Sequence, residues 1–422
     1  MRRIITAYTV NRLGTWIGTV ALTLAVWDHT HSAVAVAATL IAAQVVPAFA
    51  VPPLVARVEA SRRGRELSGL YFFEAAVTAA LGVLLWHFWL PLVLLLVALD
   101  GTAALAASAL LRSETARAAR EELPGMGAPE CEDADAAEQQ ANATLNVAFS
   151  TTVVAGPAIG GALAALTGSS AALFVDAVSF LACGALLVDL HPRVEEAAGE
   201  SVRARLRAAW DYINSVPALR ALLLAEGIAL VFFESAAPIE VAYAKVSIGT
   251  GDGGYGLLIA MWGVGVVLGS VVFARWGGRS LRALICAGTL AVGFAYIGFA
   301  IAPTLAVACV AAVLGGVGNG VQWAPLISAV QRLTPARLRG RVMGALESIG
   351  AICPAIGLAL GGALVALTSP RWAFLAVGVG GALCTIMFAR IAIARPALAP
   401  AGEDDGGAPA EDDVPVSLTY VA

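Results

Sequence analysis

The sequence predicts an all-α membrane protein: twelve transmembrane helices in two six-helix bundles that repeat one another in parallel. Three observations carry that prediction. Hydrophobic residues make up 59% of the 422 and charged residues only 13%, against roughly 45–50% and about 25% in soluble domains, so lipid has to solvate most of the chain. Apolar runs long enough to cross a bilayer, about 20 residues each, occur twelve times. The Pro-Ala-Ile-Gly core of Gly156-Pro157-Ala158-Ile159-Gly160-Gly161 also returns as Cys353-Pro354-Ala355-Ile356-Gly357, 197 positions later, each copy inside an apolar run.

The first six runs lie near 8–27, 33–55, 67–88, 90–111, 143–166 and 171–190, and the second six near 219–243, 255–274, 281–300, 304–330, 342–367 and 372–394. Connecting segments alternate in charge. One set holds Arg2 and Arg3, then Arg57 and Arg62, then Arg112 and Arg117, and so on through Arg203, Arg275, Arg337 and Arg395; the opposite set holds only Lys245 and Arg371. Positive charge collects on the cytoplasmic side of a membrane protein, so both termini are expected inside. A wrong span count would scramble this alternation. The first run follows the N-terminus without a cleavable-signal pattern, so it is expected to stay as a helix.

The repeat can be checked by arithmetic. Ala-Leu-Thr at 165–167 matches Ala-Leu-Thr at 366–368, an offset of 201 against 197 for the prolines, and the difference of four residues is about one helical turn. Ala56-Arg57 pairs with Ala274-Arg275 at an offset of 218, the longer loop after the fourth run making up the rest. The expected organisation is a first bundle over 1–190, a cytoplasmic loop over 191–218, a second bundle over 219–395 and a disordered acidic tail over 396–422. The loop includes a basic amphipathic piece near 203–210, suited to lie at the membrane surface.

Some function classes drop out. No Gly-x-x-x-x-Gly-Lys-Ser/Thr loop is present and the single lysine, Lys245, falls on the outer side, which excludes nucleotide hydrolysis in this chain. Six cysteines without paired spacing and four scattered histidines argue against a disulfide frame, a metal site or an intramembrane transferase.

At this point the chain resembles the major facilitator superfamily over nearly its whole length, and within it the enterobactin-exporter and macrolide-efflux branch. The residues that carry the likeness are Asn11-Arg12-Leu13-Gly14, Gly156-Pro157-x-x-Gly160-Gly161, Phe174-x-Asp176-x-x-Ser179-Phe180, Tyr255-Gly256-Leu257-Leu258 and Leu338-Arg339-Gly340-Arg341-Val342. The resemblance implies a secondary active transporter, and the Gly-Pro-x-x-Gly-Gly segment resembles the signature of antiporting exporters. The family's Gly-x-Leu-x-Asp-Arg-x-Gly loop between helices two and three keeps Leu54 and Arg57, but Pro52, Ala56 and Glu59 replace its other members. The equivalent loop after the eighth run keeps Arg275 and Gly277, with Ala274 in place of the acid.

A charge at bilayer depth costs about 3 kcal/mol, so each intramembrane acid needs a reason. The resemblance implies that helices one, four, seven and ten line a central cavity, which makes Asp100, Glu226 and Glu234 candidates for proton exchange. Asn319, Gln322 and Trp323 on the tenth run are the candidate substrate contacts, Gly315, Asn319 and Gln322 forming one stripe at i, i+4, i+7. The alternative is structural hydrogen bonding between helices. Arg12 either snorkels to the cytoplasmic surface or pairs with a cavity acid. Glu74 is expected near the cytoplasmic face, paired with loop arginines. Gly156, Pro157, Gly160, Gly161, Arg57 and Arg275 form the conformational motifs, through a freed carbonyl at proline and close approach at glycine.

The function expected from these readings is proton-coupled efflux of a small organic molecule, drug-like or natural product, by alternating access in a bacterial plasma membrane. Alternatives are a siderophore exporter and a non-transporting sensor or scaffold of the same fold. Expected partners are the substrate, protons and lipid; no cofactor, metal or nucleic acid is expected, and the chain is expected to be a monomer.

Overall fold

The apolar runs become helices because only a helix satisfies every backbone polar group within one segment. The structure, a computed structural model, describes residues 2–60, 66–121, 131–188, 202–276 and 280–394. The predicted tail, Arg62 and much of the interbundle loop lie outside the described residues.

The first six helices are α1 (Arg2–Thr30), α2 (Ala33–Ala60), α3 (Glu66–Leu84), α4 (Leu90–Glu121), α5 (Cys131–Thr167) and α6 (Ser169–Leu186). A 14-residue amphipathic helix, α7 (Val202–Ser215), follows; it buries Ala209 and Ile213 and leaves Trp210 exposed. Then come α8 (Pro217–Glu234), α9 (Ala236–Ala242), α10 (Asp252–Trp276), α11 (Leu281–Ile301), α12 (Leu305–Arg332), α13 (Ala336–Leu367) and α14 (Pro370–Ala394). With α8 and α9 run together through a π-helical turn (Tyr243–Ile248), they make the second set of six. Pro217 opens α8 at its first turn, where its missing N–H costs nothing. Gly249, at φ +70°, ends the π turn in a left-handed conformation that a side chain would strain.

Among the described residues no strand occurs, and nine helices are long and apolar enough to cross a membrane; the described parts of α2 and α14 give shorter apolar stretches. Together with α1 they account for the twelve predicted runs. The protein is a multi-pass membrane protein.

The repeated Pro/Gly segments explain how the two sets of six meet. A Cβ on Gly160 would stand 3.0 Å from Ile17 Cα, and one on Gly156 would strike Trp16, so both glycines face α1. One on Gly161 would stand 2.7 Å from Gly256 Cα of α10, in the other set. The second copy does the same. Gly357 and Gly361 face Glu234, Ser235 and Pro238, while a Cβ on Gly362 would stand 3.0 Å from Ala37 Cβ of α2. Each segment thus packs one face on its own set and the next residue on the other set. The extra turn preserves this because four residues restore the helical face.

The core reflects the same arrangement. One apolar cluster runs across both sets at the end where α1 finishes, joining Val20, Leu24, Val36 and Ala164 to Ile239, Tyr243, Tyr255 and Phe374. Toward the end where α1 begins, two further clusters stay apart. Ile4, Leu67, Leu110 and Leu187 belong to the first set; Leu219, Ile285, Leu326 and Val342 belong to the second.

Candidate substrate cavity and coupling groups

Near the joined end, α8 stops at Glu234 and restarts as α9, placing Glu234 and Glu240 close enough to feel each other's charge. Both are half-buried and lie beside Tyr296 of α11, whose hydroxyl donates to the Phe233 carbonyl at 3.2 Å. Trp262 of α10 stacks on Tyr296 with centroids 5.8 Å apart and an interplanar angle of 17°, and also meets Phe233 at 5.8 Å. Gly315 of α12 makes room for that indole: a Cβ there would stand 2.6 Å from its Cη2 atom. Tyr255 reaches from α10 to a hydrogen bond with Thr23 of α1. Two acids and a stack of aromatic rings therefore lie where the two sets join.

A second group of acids sits inside the first set. Thr78 of α3 donates to Asp100 Oδ1 of α4 at 3.1 Å, and Glu74 lies one turn from Thr78 on the same face. Asp176 of α6 accepts from Ser179 at 3.3 Å and presses against Gly14 and Gly18 of α1. Glu74, Asp100 and Asp176 all act electrostatically on one another. Glu74 corrects the sequence expectation: it is fully buried, and neither carboxylate oxygen has a hydrogen-bond partner, loop arginine or otherwise. Position 74 lies more than two turns into α3, too deep for the loop to reach.

The outer connections close over the joined end. Lys245 pairs with Asp28 at 2.9 Å and with Asp252. Arg371 donates to the carbonyls of Ala300 at 3.0 Å and Ser247 at 3.4 Å, with its guanidinium 5.9 Å from the Tyr243 ring centroid.

Sequence comparison agrees with this architecture. The profile of the Major Facilitator Superfamily matches residues 222–416. Over 92% of this chain and 98% of the other, the fold is that of the nucleoside transporter NupG, with a TM-score of 0.70 at 12% identity. The second set of helices thus matches the Major Facilitator Superfamily model, and the whole chain has the fold of a transporter built from the same kind of helices.

Other transporters are similar too. A bacterial homolog of the human lysosomal transporter Spinster, in an inward-facing and occupied conformation, gives a TM-score of 0.68 at 14% identity, covering 92% of this chain and 96% of that one. By sequence, the chain is 27% identical over 260 residues to the multidrug efflux pump Tap of Mycolicibacterium fortuitum, covering 57% of this chain and 60% of that pump. It is 24% identical over 255 residues to the MFS-type transporter YfiS of Bacillus subtilis (strain 168), covering 57% of this chain and 60% of that one. The chain spans about three-fifths of the length of these curated relatives. Each of these similar proteins is named a transporter or an efflux pump.

The fold separates acids that the sequence grouped. Asp100 turns toward Thr78 inside the first set, and Glu226, 4% exposed, accepts at Oε2 from Gln322 Nε2 at 3.1 Å. Only Glu234, of the three acids, stands by the aromatic stack. Gly315 faces Trp262 of α10 and Ala295 of α11, and Gln322 faces Gly288 of α11 and Glu226 of α8, so both ends of the predicted stripe on α12 lie against α11. Asn319 is half-buried between them in sequence. Trp323 packs against the cluster at the separated end that holds Leu219, Ile285, Leu326 and Val342, its indole N–H without an acceptor. Arg12 lies with its guanidinium 5.6 Å from the Tyr8 ring centroid. Arg275 is exposed at the end of α10, and the side chain of Arg57 is outside the described residues. Sequence reasoning missed Trp262, Tyr296, Glu240 and the partnership of Glu74 with Asp176. The pairing of Trp262 with Gly315 carries no signal in either helix alone.

Proposed function

We propose that this protein is a proton-coupled exporter of amphipathic, cationic organic compounds, working by alternating access in a bacterial plasma membrane. The observation that carries the reading is the union of the two sets at one end only, with Glu234 and Glu240 beside Trp262, Tyr296 and Phe233 at the junction. Aromatic faces and carboxylates together suit a large organic cation. The likeness to Tap supports export of drug-like compounds.

In this reading 1–190 and 219–395 act as the two rocking units, and the positive-inside distribution of arginine puts both termini in the cytoplasm. The joined end is then extracellular and the separated end opens inward. Glu234 exchanges a proton for the substrate, Trp262 and Tyr296 contact it, and Asn319 and Gln322 adjoin its path. Asp100, with Glu74 and Asp176, holds a second proton store within the first unit. The glycines of the two Pro/Gly segments let the outer end seal.

The test is uptake of ethidium into proteoliposomes with an acidic interior, the gradient that drives substrate in as protons leave. Uptake should be abolished by a protonophore and reduced at least tenfold by Glu234→Gln. Gradient-independent uptake would remove proton coupling, and no uptake of any organic cation would favour a sensor or scaffold.

A further inference from the structure

A crevice of about 270 Å³ lies between α8, α11 and α14, away from the junction of the two sets. Its walls include Leu222, Ala229, Ile285, Thr289, Gly381 and Thr385, and Glu226 lies among them. Its rim is apolar and open: Leu224 is 62% exposed and Ile228 46%, with Leu383 at 55% and Ile386 at 43% flanking it on α14. Because α11 packs chiefly on α12 and α14, and α14 on α11 and α8, the opening faces the surrounding acyl chains and not the first set. The lining positions of α8 end at Ala229, twelve residues past Pro217. That is a depth of about 18 Å from the helix start, the level of one leaflet.

The polar chemistry of the crevice has one sign. Thr289 donates to the Ile285 carbonyl at 2.9 Å and Thr385 to the Gly381 carbonyl at 2.8 Å, so both hydroxyl protons are used within their own helices. Among the described residues no basic side chain lines the walls; Arg282, one turn before Cys286 on α11, acts on that thiol from outside the lining. Gln322 engages one oxygen of Glu226 and fixes the carboxylate's orientation. An anionic or zwitterionic head group would find no free donor among the lining side chains beside Glu226. A protonated amine would find a carboxylate in a low-dielectric wall, where opposite charges attract strongly.

We propose that this crevice is a lateral, membrane-accessible binding site for amphipathic ammonium compounds, the alkyl chain lying along Leu224 and Ile228 and the nitrogen meeting Glu226. It is distinct from the aromatic site at the junction and holds whichever direction the protein transports. It takes its ligand from the bilayer, where such compounds concentrate.

Cys286 and Cys384 both line the crevice and supply the readout. The whole chain in phosphatidylcholine nanodiscs is labelled with N-ethylmaleimide in the presence of dodecyltrimethylammonium or dodecanol, and modification at each cysteine is followed by mass spectrometry. The ammonium should protect both thiols at a concentration at least tenfold lower than the alcohol. Glu226→Gln should erase that difference, Glu226→Asp should retain most of it, and Thr289→Trp should block protection by either compound. Equal protection by the two compounds in the unmodified protein, a comparison that needs no variant, would make this an acyl-chain groove and overturn the proposal. So would a charge preference that survives Glu226→Gln, or no protection at all.

Discussion

Lys245, the only lysine of the chain, stands 2.9 Å from Asp28 across 217 positions of sequence and also binds Asp252. It ties the end of α1 to the start of α10, and so one set of six helices to the other. Partly exposed ion pairs of this kind are worth about 0.5–1 kcal/mol. Lys245→Gln should therefore shift the equilibrium away from the joined arrangement by about two- to fivefold. The measurement is the labelling rate of a cysteine at Ala33, which is 4% exposed beneath Gly362. An unchanged rate would remove the latch.

Gly161 and Gly256 set how closely α5 and α10 approach. A Cβ on Gly161 meets Gly256 Cα at 2.7 Å and the Asp252 carbonyl at 2.9 Å, both backbone atoms that cannot swing aside. Overpacking of this kind costs about 1–3 kcal/mol. Gly161→Leu should leave each set of six folded and hold them apart at this end, with transport down at least tenfold. Gly168→Leu, where no neighbour lies near but φ is +87°, should instead lower thermal stability through strain alone.

The Gln322–Glu226 hydrogen bond joins α12 to α8. Interhelical bonds in membranes average about 0.6 kcal/mol and reach about 1.7. Gln322→Leu and Glu226→Gln, alone and together, should give a coupling energy in that range when unfolding is followed in denaturing detergent. Additive effects would mean the bond contributes nothing.

Glu74 is fully buried with no hydrogen bond to either carboxylate oxygen. Replacing an unsupported buried carboxyl by an apolar group of similar size removes a desolvation penalty of about 1–3 kcal/mol. Glu74→Met should raise the thermal midpoint. If Glu74 also stores protons beside Asp100 and Asp176, the same variant should lower proton-coupled uptake, a trade of activity for stability. A lower midpoint with unchanged uptake would make it structural.

How much of this was visible beforehand differs by feature. Twelve runs, the amphipathic piece at 203–210 and the Pro/Gly repeat could be read directly, because each depends on a local run of residues. Glu234 stood out for the same reason, as an acid inside an apolar run. Glu74 was misjudged because distance along the helix said shallow, while the fold buries it between α3, α4 and α6. Trp323 and Gln322 are adjacent in sequence, but neighbours in a helix point about 100° apart: Gln322 reaches Glu226, while Trp323 packs against the apolar cluster at the separated end.

By itself the sequence determined that this chain is made of apolar runs long enough for a membrane, roughly where each helix falls, and that one Pro/Gly segment recurs. Those properties are sums of transfer free energy over consecutive residues, together with residues such as proline and glycine that act where they stand. Only the tertiary structure decided which groups meet. Whether Gly161 touches α10, Trp262 covers Gly315, or Lys245 finds Asp28 depends on how each helix is rotated about its axis and which distant helix it faces. That is a packing choice made between segments, and hydrophobicity along one segment holds no record of it.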